Sequence, residues 1–176
     1  DYDMGMILNI YTDAGSGEHN DVWPKEWAVD YIRVWKSNEG YQKVTKEYNI
    51  QNRQTGHYMY IDPDSTAVKY GPLTDENAAY AKWEKVKRGD YVLLKNCKTG
   101  EYLHIENLTG YVEHGEVPTT WWSAQWTESE VDGYTRLINR WQPDYSIHTE
   151  DYQWLIQYGN VPTTYWTSQW RFIQAN

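Results

Sequence analysis

Apolar and polar residues alternate along most of the chain in short runs, and the 3.6-residue spacing of an amphipathic helix is absent. The run YVLLKN at 91–96 is typical. A Thr-Gly turn at Thr99-Gly100 follows it, then a second run over 102–106, a third that ends on Gly115, and a fourth around Trp126. Glycine and polar turn residues punctuate every run, so the chain is predicted to be all-β.

The same four-run unit occurs three times, at 48–86, 91–131 and 134–173. Gly71, Gly115 and Gly159 lie 44 residues apart in both steps. Nine positions before each glycine stands an acid, Asp62, Glu106 or Glu150; one position before stands Tyr70, His114 or Tyr158; 11 or 12 positions after stands Trp83, Trp126 or Trp170. A four-strand unit of this length cannot bury its apolar face alone, so the three must share one core. Three equal parts predict a β-trefoil, a six-stranded barrel capped by three hairpins about a pseudo-threefold axis. A propeller, the rival, has about four blades or more.

Residues 1–40 stand outside the repeat. Runs at 4–12 and 27–36 read as two strands of a hairpin joined by the glycine-rich AGSGEHND, and 37–44 as a linker, which divides the chain into 1–40 and a trefoil over 41–176. A lone hairpin exposing Ile7, Leu8, Ile10, Ile32 and Val34 has unpaired edges. It is expected to pack on the trefoil or to self-associate with a second chain.

Composition narrows the chemistry. Of 176 residues, 16 are Lys or Arg and 25 are Asp or Glu, a formal charge of −9 that speaks against nucleic acid, whose binders need a basic surface. No apolar run approaches the ~20 residues of a membrane-spanning helix, so no membrane partner is expected. Cys97 is the single cysteine, which removes disulfides and cysteine metal sites. The opening DYDMGMILNI lacks the basic segment of an export signal. Eleven Trp and 17 Tyr stand against one Phe. What Trp and Tyr add to Phe is a polar edge on an apolar face, suited to surfaces that are wet on one side, as in sugar binding.

Two resemblances follow from particular strings. ILNI, Trp23-Pro24 and VDYIRVW at 29–35 resemble the closing strands of glycoside hydrolase family 16, the jelly-roll enzymes that include laminarinases, agarases and carrageenases. This implies that 1–40 are the remnant of such a domain and that the chain is the C-terminal part of a longer, secreted or cell-surface enzyme. The family's catalytic E-x-D-x-x-E strand is missing; the nearest string, EVDGYT at 130–135, contains glycine and ends in Thr. No catalytic residue is therefore expected. Asp30 matches an aspartate that helps bind calcium in that family, but one carboxylate does not satisfy a cation taking about six to eight oxygens. Neither a metal nor another cofactor is expected.

Residues 41–176 resemble carbohydrate-binding module family 92 and, more distantly, ricin-type lectin modules. The resemblance rests on the recurrent acid, the glycine preceded by an aromatic or His, and the WWSAQW string at 121–126. Ricin-type modules usually carry Gln-x-Trp and disulfides, whereas Gln125-Trp126 and Gln169-Trp170 are adjacent here. The implied function is non-catalytic, multivalent binding of a β-1,3- or β-1,6-linked glucan that targets an attached polysaccharide-degrading enzyme. The alternatives are a sulfated galactan such as carrageenan, which the acidic charge opposes, and a protein-binding trefoil.

A sugar site needs an aromatic platform and a carboxylate that accepts hydrogen bonds from vicinal hydroxyls. Trp122 and Trp166 are the predicted platforms, four residues before Trp126 and Trp170, which are assigned to the core. Glu106 and Glu150 are the predicted acids, with His114 and Tyr158 as further donors. Repeat one offers Asp62 and Tyr70, but Ala79 stands in the platform register, so Tyr80 replaces the platform or the site is weak.

Overall fold

A computed structural model describes residues 45–150 and 154–175; the hairpin and linker expected over 1–40 lie outside them. β1 (Glu47–Asn52), β2 (Tyr58–Tyr60), β3 (Lys69–Gly71) and β4 (Lys82–Arg88) form the first repeat. β5 (Tyr91–Asn96), β6 (Tyr102–His104), β7 (Glu113–Gly115) and β8 (Trp126–Val131) form the second. β9 (Tyr134–Asn139), β10 (Ser146–His148), β11 (Gln157–Gly159) and β12 (Trp170–Gln174) form the third.

The outer strands of each repeat pair antiparallel in the order β1-β4-β5-β8-β9-β12 and return to β1, a closed six-stranded barrel without free edges. The inner strands form the hairpins β2·β3, β6·β7 and β10·β11. These meet in a cyclic set of backbone bonds: Val68 N–H donates to Val112 O at 2.8 Å, Val112 N–H to Ile156 O at 2.8 Å, and Ile156 N–H to Val68 O at 2.9 Å. The fold is the expected β-trefoil.

The recurrent tryptophans Trp83, Trp126 and Trp170 are fully buried beside Ile50, Leu94 and Leu137 from β1, β5 and β9. Each indole also satisfies its one polar atom. Nε1–H donates to Met59 O at 3.1 Å, Leu103 O at 3.3 Å and Ile147 O at 3.3 Å respectively. At ~25 cal/mol per Å² and ~200 Å² per ring, each contributes about 5 kcal/mol of transfer free energy before entropy is counted.

The recurrent glycine has a steric cause. A Cβ on Gly115 would stand 3.1 Å from His104 Nε2, one on Gly159 3.3 Å from His148 Nε2, and one on Gly71 3.4 Å from Tyr60 Cε1. At Gly115 and Gly159 the imidazole on the facing strand crowds the space that a side chain would need, whereas at Gly71 the contact is an ordinary one.

Two local features depart from the sequence reading. The second run ends at His104 rather than at 106, because Leu108 N–H turns back to Ile105 O at 3.2 Å. A single turn of 3₁₀ helix also precedes each fourth strand, at Ala78–Ala81, Trp122–Ala124 and Trp166–Ser168. In repeats two and three the carbonyl of Pro118 or Pro162 receives the N–H of Trp121 or Tyr165 at 3.0 Å, which curls the Val-Pro-Thr-Thr segment.

Candidate functional site

That curl presents two tryptophans to solvent. Trp122 is 54% exposed and Trp166 50%. Each ring rests on a guanidinium: Arg140 Cζ lies 4.2 Å from the centre of Trp122, and Arg53 Cζ 4.3 Å from that of Trp166. The guanidiniums are held in turn by the buried amides of Gln125 and Gln169. Gln125 Oε1 accepts from Arg140 Nη1 at 2.6 Å while its Nε2 donates to Thr119 O at 2.8 Å. Gln169 Oε1 accepts from Arg53 Nη1 at 2.5 Å while its Nε2 donates to Thr163 O at 2.8 Å. Loop, amide, guanidinium and platform form one stack in two of the three repeats.

In the second repeat, Glu106, Trp121, Trp122 and Ser123 line a cavity of about 250 Å³ with Trp141, 38% exposed, as its far wall. The Glu106 carboxylate has no bonding partner among the described residues, while the Glu106 N–H donates to His104 Nδ1 at 3.3 Å. That bond requires an unprotonated Nδ1, and burial holds His104 below the ordinary histidine range, partly opposed by the charge of Glu113.

In the third repeat, Glu150, Thr149 and Thr167 share a cavity of about 490 Å³ with Gln54, Thr55, His57, Tyr70 and Trp154. Glu150 Oε1 accepts from Thr167 Oγ1 at 3.1 Å, and Oε2 lies 4.0 Å from His148 Nδ1. Trp154, 50% exposed, forms an aromatic wall with His57 and Tyr70, the ring centres 5.3 and 5.6 Å away.

The first repeat differs. Asp62 and Tyr80 line a cavity of about 240 Å³, but both carboxylate oxygens are engaged. Lys69 Nζ sits 2.5 Å from Oδ2 and Asp64 N–H donates to Oδ1 at 3.0 Å, which holds the Asp62 carboxyl below the usual range. Lys82 stands in the register of the glutamine and Cys97 in that of the arginine, so the supporting stack is missing together with the platform.

The predicted site residues are thus regrouped. Tyr70 of repeat one lies with Glu150 of repeat three. Tyr158 of repeat three lines a cleft with Leu108 of repeat two. His114 of repeat two bonds to Ser65 O of repeat one at 2.7 Å. Glu106 comes together with Trp122, and Asp62 with Tyr80, as predicted from one repeat each. Glu150 shares its cavity with Thr167, the neighbour of Trp166. Sequence reasoning missed Trp141 and Trp154, which have no aromatic in the same register of the other repeats. It also missed Arg53 and Arg140, although Asn52-Arg53 and Asn139-Arg140 recur visibly. Trp121 and Tyr165, the chain neighbours of Trp122 and Trp166, are exposed as well.

No family model matches the chain, and a search of curated proteins finds no match. Among solved structures, the chain is similar to the GlcNAcα1-4Gal-releasing endo-β-galactosidase from Clostridium perfringens, with 62% identity and a TM-score of 0.74 over 94% of this chain and 41% of that one. The chain therefore spans less than half of that enzyme's length. The designed threefold-symmetric protein ThreeFoil is similar in fold at 18% identity, with a TM-score of 0.64 over 73% of this chain and 99% of that one. A Polyporus squamosus lectin, solved with Neu5Acα2-6Galβ1-4GlcNAc, shares 13% identity and a TM-score of 0.62 over 74% of this chain and 49% of its own.

Proposed function

We propose that the trefoil is a non-catalytic carbohydrate-binding module with two working sites, at Glu106/Trp122 and Glu150/Trp166, that holds an attached glycan-degrading enzyme on its substrate. The observation that carries this reading is a half-exposed tryptophan on a Gln–Arg support, found twice, which in the second repeat shares a cavity with Glu106 and in the third adjoins, through Thr167, the cavity of Glu150. A platform fixed in advance loses little entropy on binding. The carboxylate orients the sugar by accepting from two hydroxyls.

The ligand is a neutral glycan. Similarity to an endo-β-galactosidase supports a galactose-bearing one, while the family resemblance of 41–176 supports a β-glucan. The acidic chain disfavours a sulfated galactan. On this reading the module is secreted or cell-surface, and residues 1–40 end a family 16-like catalytic domain.

Calorimetric titration decides between these ligands. GlcNAcα1-4Gal and Galβ1-4GlcNAc form one arm, β-1,3- and β-1,6-linked gluco-oligosaccharides the second, each with the native chain and with Trp122→Ala plus Trp166→Ala. The expected result is two ligands per chain in the galactose arm and no heat from the double variant. Heat confined to the glucan arm moves the specificity to β-glucan. No heat in either arm removes the carbohydrate reading in favour of a protein partner.

A further inference from the structure

We propose that the second-repeat site is an elongated cleft that takes a run of sugar residues within a chain, with Tyr145 and Tyr158 as its second subsite; the inference rests on the carbohydrate reading above. A cavity of about 490 Å³ is lined by Leu108, Gly110, Gln142, Tyr145, Tyr158 and Asn160. Its lining has no residue in common with that of the Trp122 cavity, but chain neighbours line the two on both sides. One wall is the segment that carries Glu106 into the first cavity and Leu108 into the second; the other is the turn that carries Trp141 into the first and Gln142 into the second. Consecutive Cα atoms are about 3.8 Å apart, so chain neighbours place the two cavities near one another on both sides, as the proposed cleft requires.

The chemistry of the second station suits a neutral pyranose. The rings of Tyr145 and Tyr158 lie 6.0 Å apart at 38°, half-buried, and offer apolar faces. The amides of Gln142 and Asn160 supply donors and acceptors, and among the described residues no charged side chain lines the cavity. Tyr158 is pinned, since its hydroxyl oxygen accepts from Gly110 N–H at 3.2 Å.

The pseudo-threefold axis provides an internal control. His57, Glu101 and Tyr145 are equivalent, because the carbonyl of each receives the N–H of Asn52, Asn96 or Asn139. Tyr70, His114 and Tyr158 are equivalent as the residues before the recurrent glycine. In the third site, His57 and Tyr70 line the same single cavity as Glu150 and Thr167, so the two stations are already merged there. In the first site the equivalent side chains are tied to each other and to the neighbouring loop: His114 Nδ1 bonds Glu101 Oε2 at 2.9 Å and Nε2 bonds Ser65 O at 2.7 Å. Among the described residues, a cavity is therefore open at this station in the second and third sites. Both open grooves also carry a bulky residue on left-handed backbone at the second station, Leu108 at φ 50° and Trp154 at φ 63°. Backbone of that kind is costly for such side chains and concentrates at ligand sites.

The test is a chain-length series on the full chain in a Trp166→Ala background, which leaves the second-repeat site as reporter. Galβ1-4GlcNAc is compared with its tetrasaccharide repeat, and laminaribiose with laminaritetraose. The expected result is a tetrasaccharide bound at least tenfold more tightly than its disaccharide at one ligand per chain. Tyr145→Ala reduces that gain to under twofold with disaccharide affinity and melting temperature unchanged, and Tyr145→Phe, which keeps the ring, retains it. Gln142→Ala, an alteration in a surface turn, lowers the gain about threefold and serves if Tyr145→Ala does not fold. Equal affinity for two and four residues, or a gain that survives both Tyr145→Ala and Gln142→Ala, overturns the elongated cleft while leaving the binding module intact. Absence of binding by any oligosaccharide overturns both.

Discussion

Arg140 and Arg53 show how one residue type sets the geometry of an exposed aromatic face. A guanidinium stacks flat against a ring and still presents donors in its own plane, so Arg140 both supports Trp122 and bonds Gln125, and it also lies 4.3 Å from the Tyr91 ring. Lysine, a compact ammonium on a flexible stem, cannot do both. Arg140→Ala is therefore expected to weaken ligand binding at the second-repeat site by about 1 kcal/mol, roughly fivefold, with Arg140→Lys failing to restore it. Calorimetry in the Trp166→Ala background reads both variants. Unchanged affinity in Arg140→Ala would mean that Trp122 needs no support. The first repeat is the natural contrast: Cys97 replaces the arginine where Ala79 replaces the platform, and burial with the nearby Glu47 and Glu84 pushes the Cys97 thiol up to about 11.

At the scale of strands and hairpins, the recurrent glycine is a spacing device. Gly115→Ala forces a Cβ to within 3.1 Å of the His104 ring between β6 and β7. An overpacking cost of about 1–3 kcal/mol is expected, measured as a lowered midpoint in urea unfolding; an unchanged midpoint would show that the imidazole swings aside freely. This glycine, the acid and the tryptophan were legible as a 44-residue period, and the tryptophan recurs because its burial and its Nε1–H bond to a carbonyl answer a constraint that all three repeats share. The barrel, its strand order and its Trp core follow from that period. The grouping of the sites does not, because sequence distance favours partners within one repeat whereas the hairpins lean across to the neighbouring one. Trp141 and Trp154 were illegible for the opposite reason: they answer no shared constraint, and a residue unique to one repeat leaves no periodic signal.

On the proposed reading, the trefoil carries two unequal sites on a three-part frame. Independent shallow sites on one polymer act through effective concentration. Loss of Trp122 alone or Trp166 alone is expected to reduce retention on an immobilised polysaccharide of the binding class at least tenfold, while the intact site keeps its affinity for short oligosaccharides. Affinity electrophoresis beside calorimetry checks this, and equal losses in the two assays would count against cooperation between the sites. The frame closes where β1 pairs with β12, from Tyr48 opposite Gln174 to Asn52 opposite Trp170. The third site straddles that closure, drawing Gln54, Thr55 and His57 from the first repeat and Glu150 and Thr167 from the last. A glycan seated there is a clasp across the seam. Tension applied between the first and last strands of the trefoil loads that seam, so on the proposed reading an occupied third site makes the bound glycan part of what resists being pulled off.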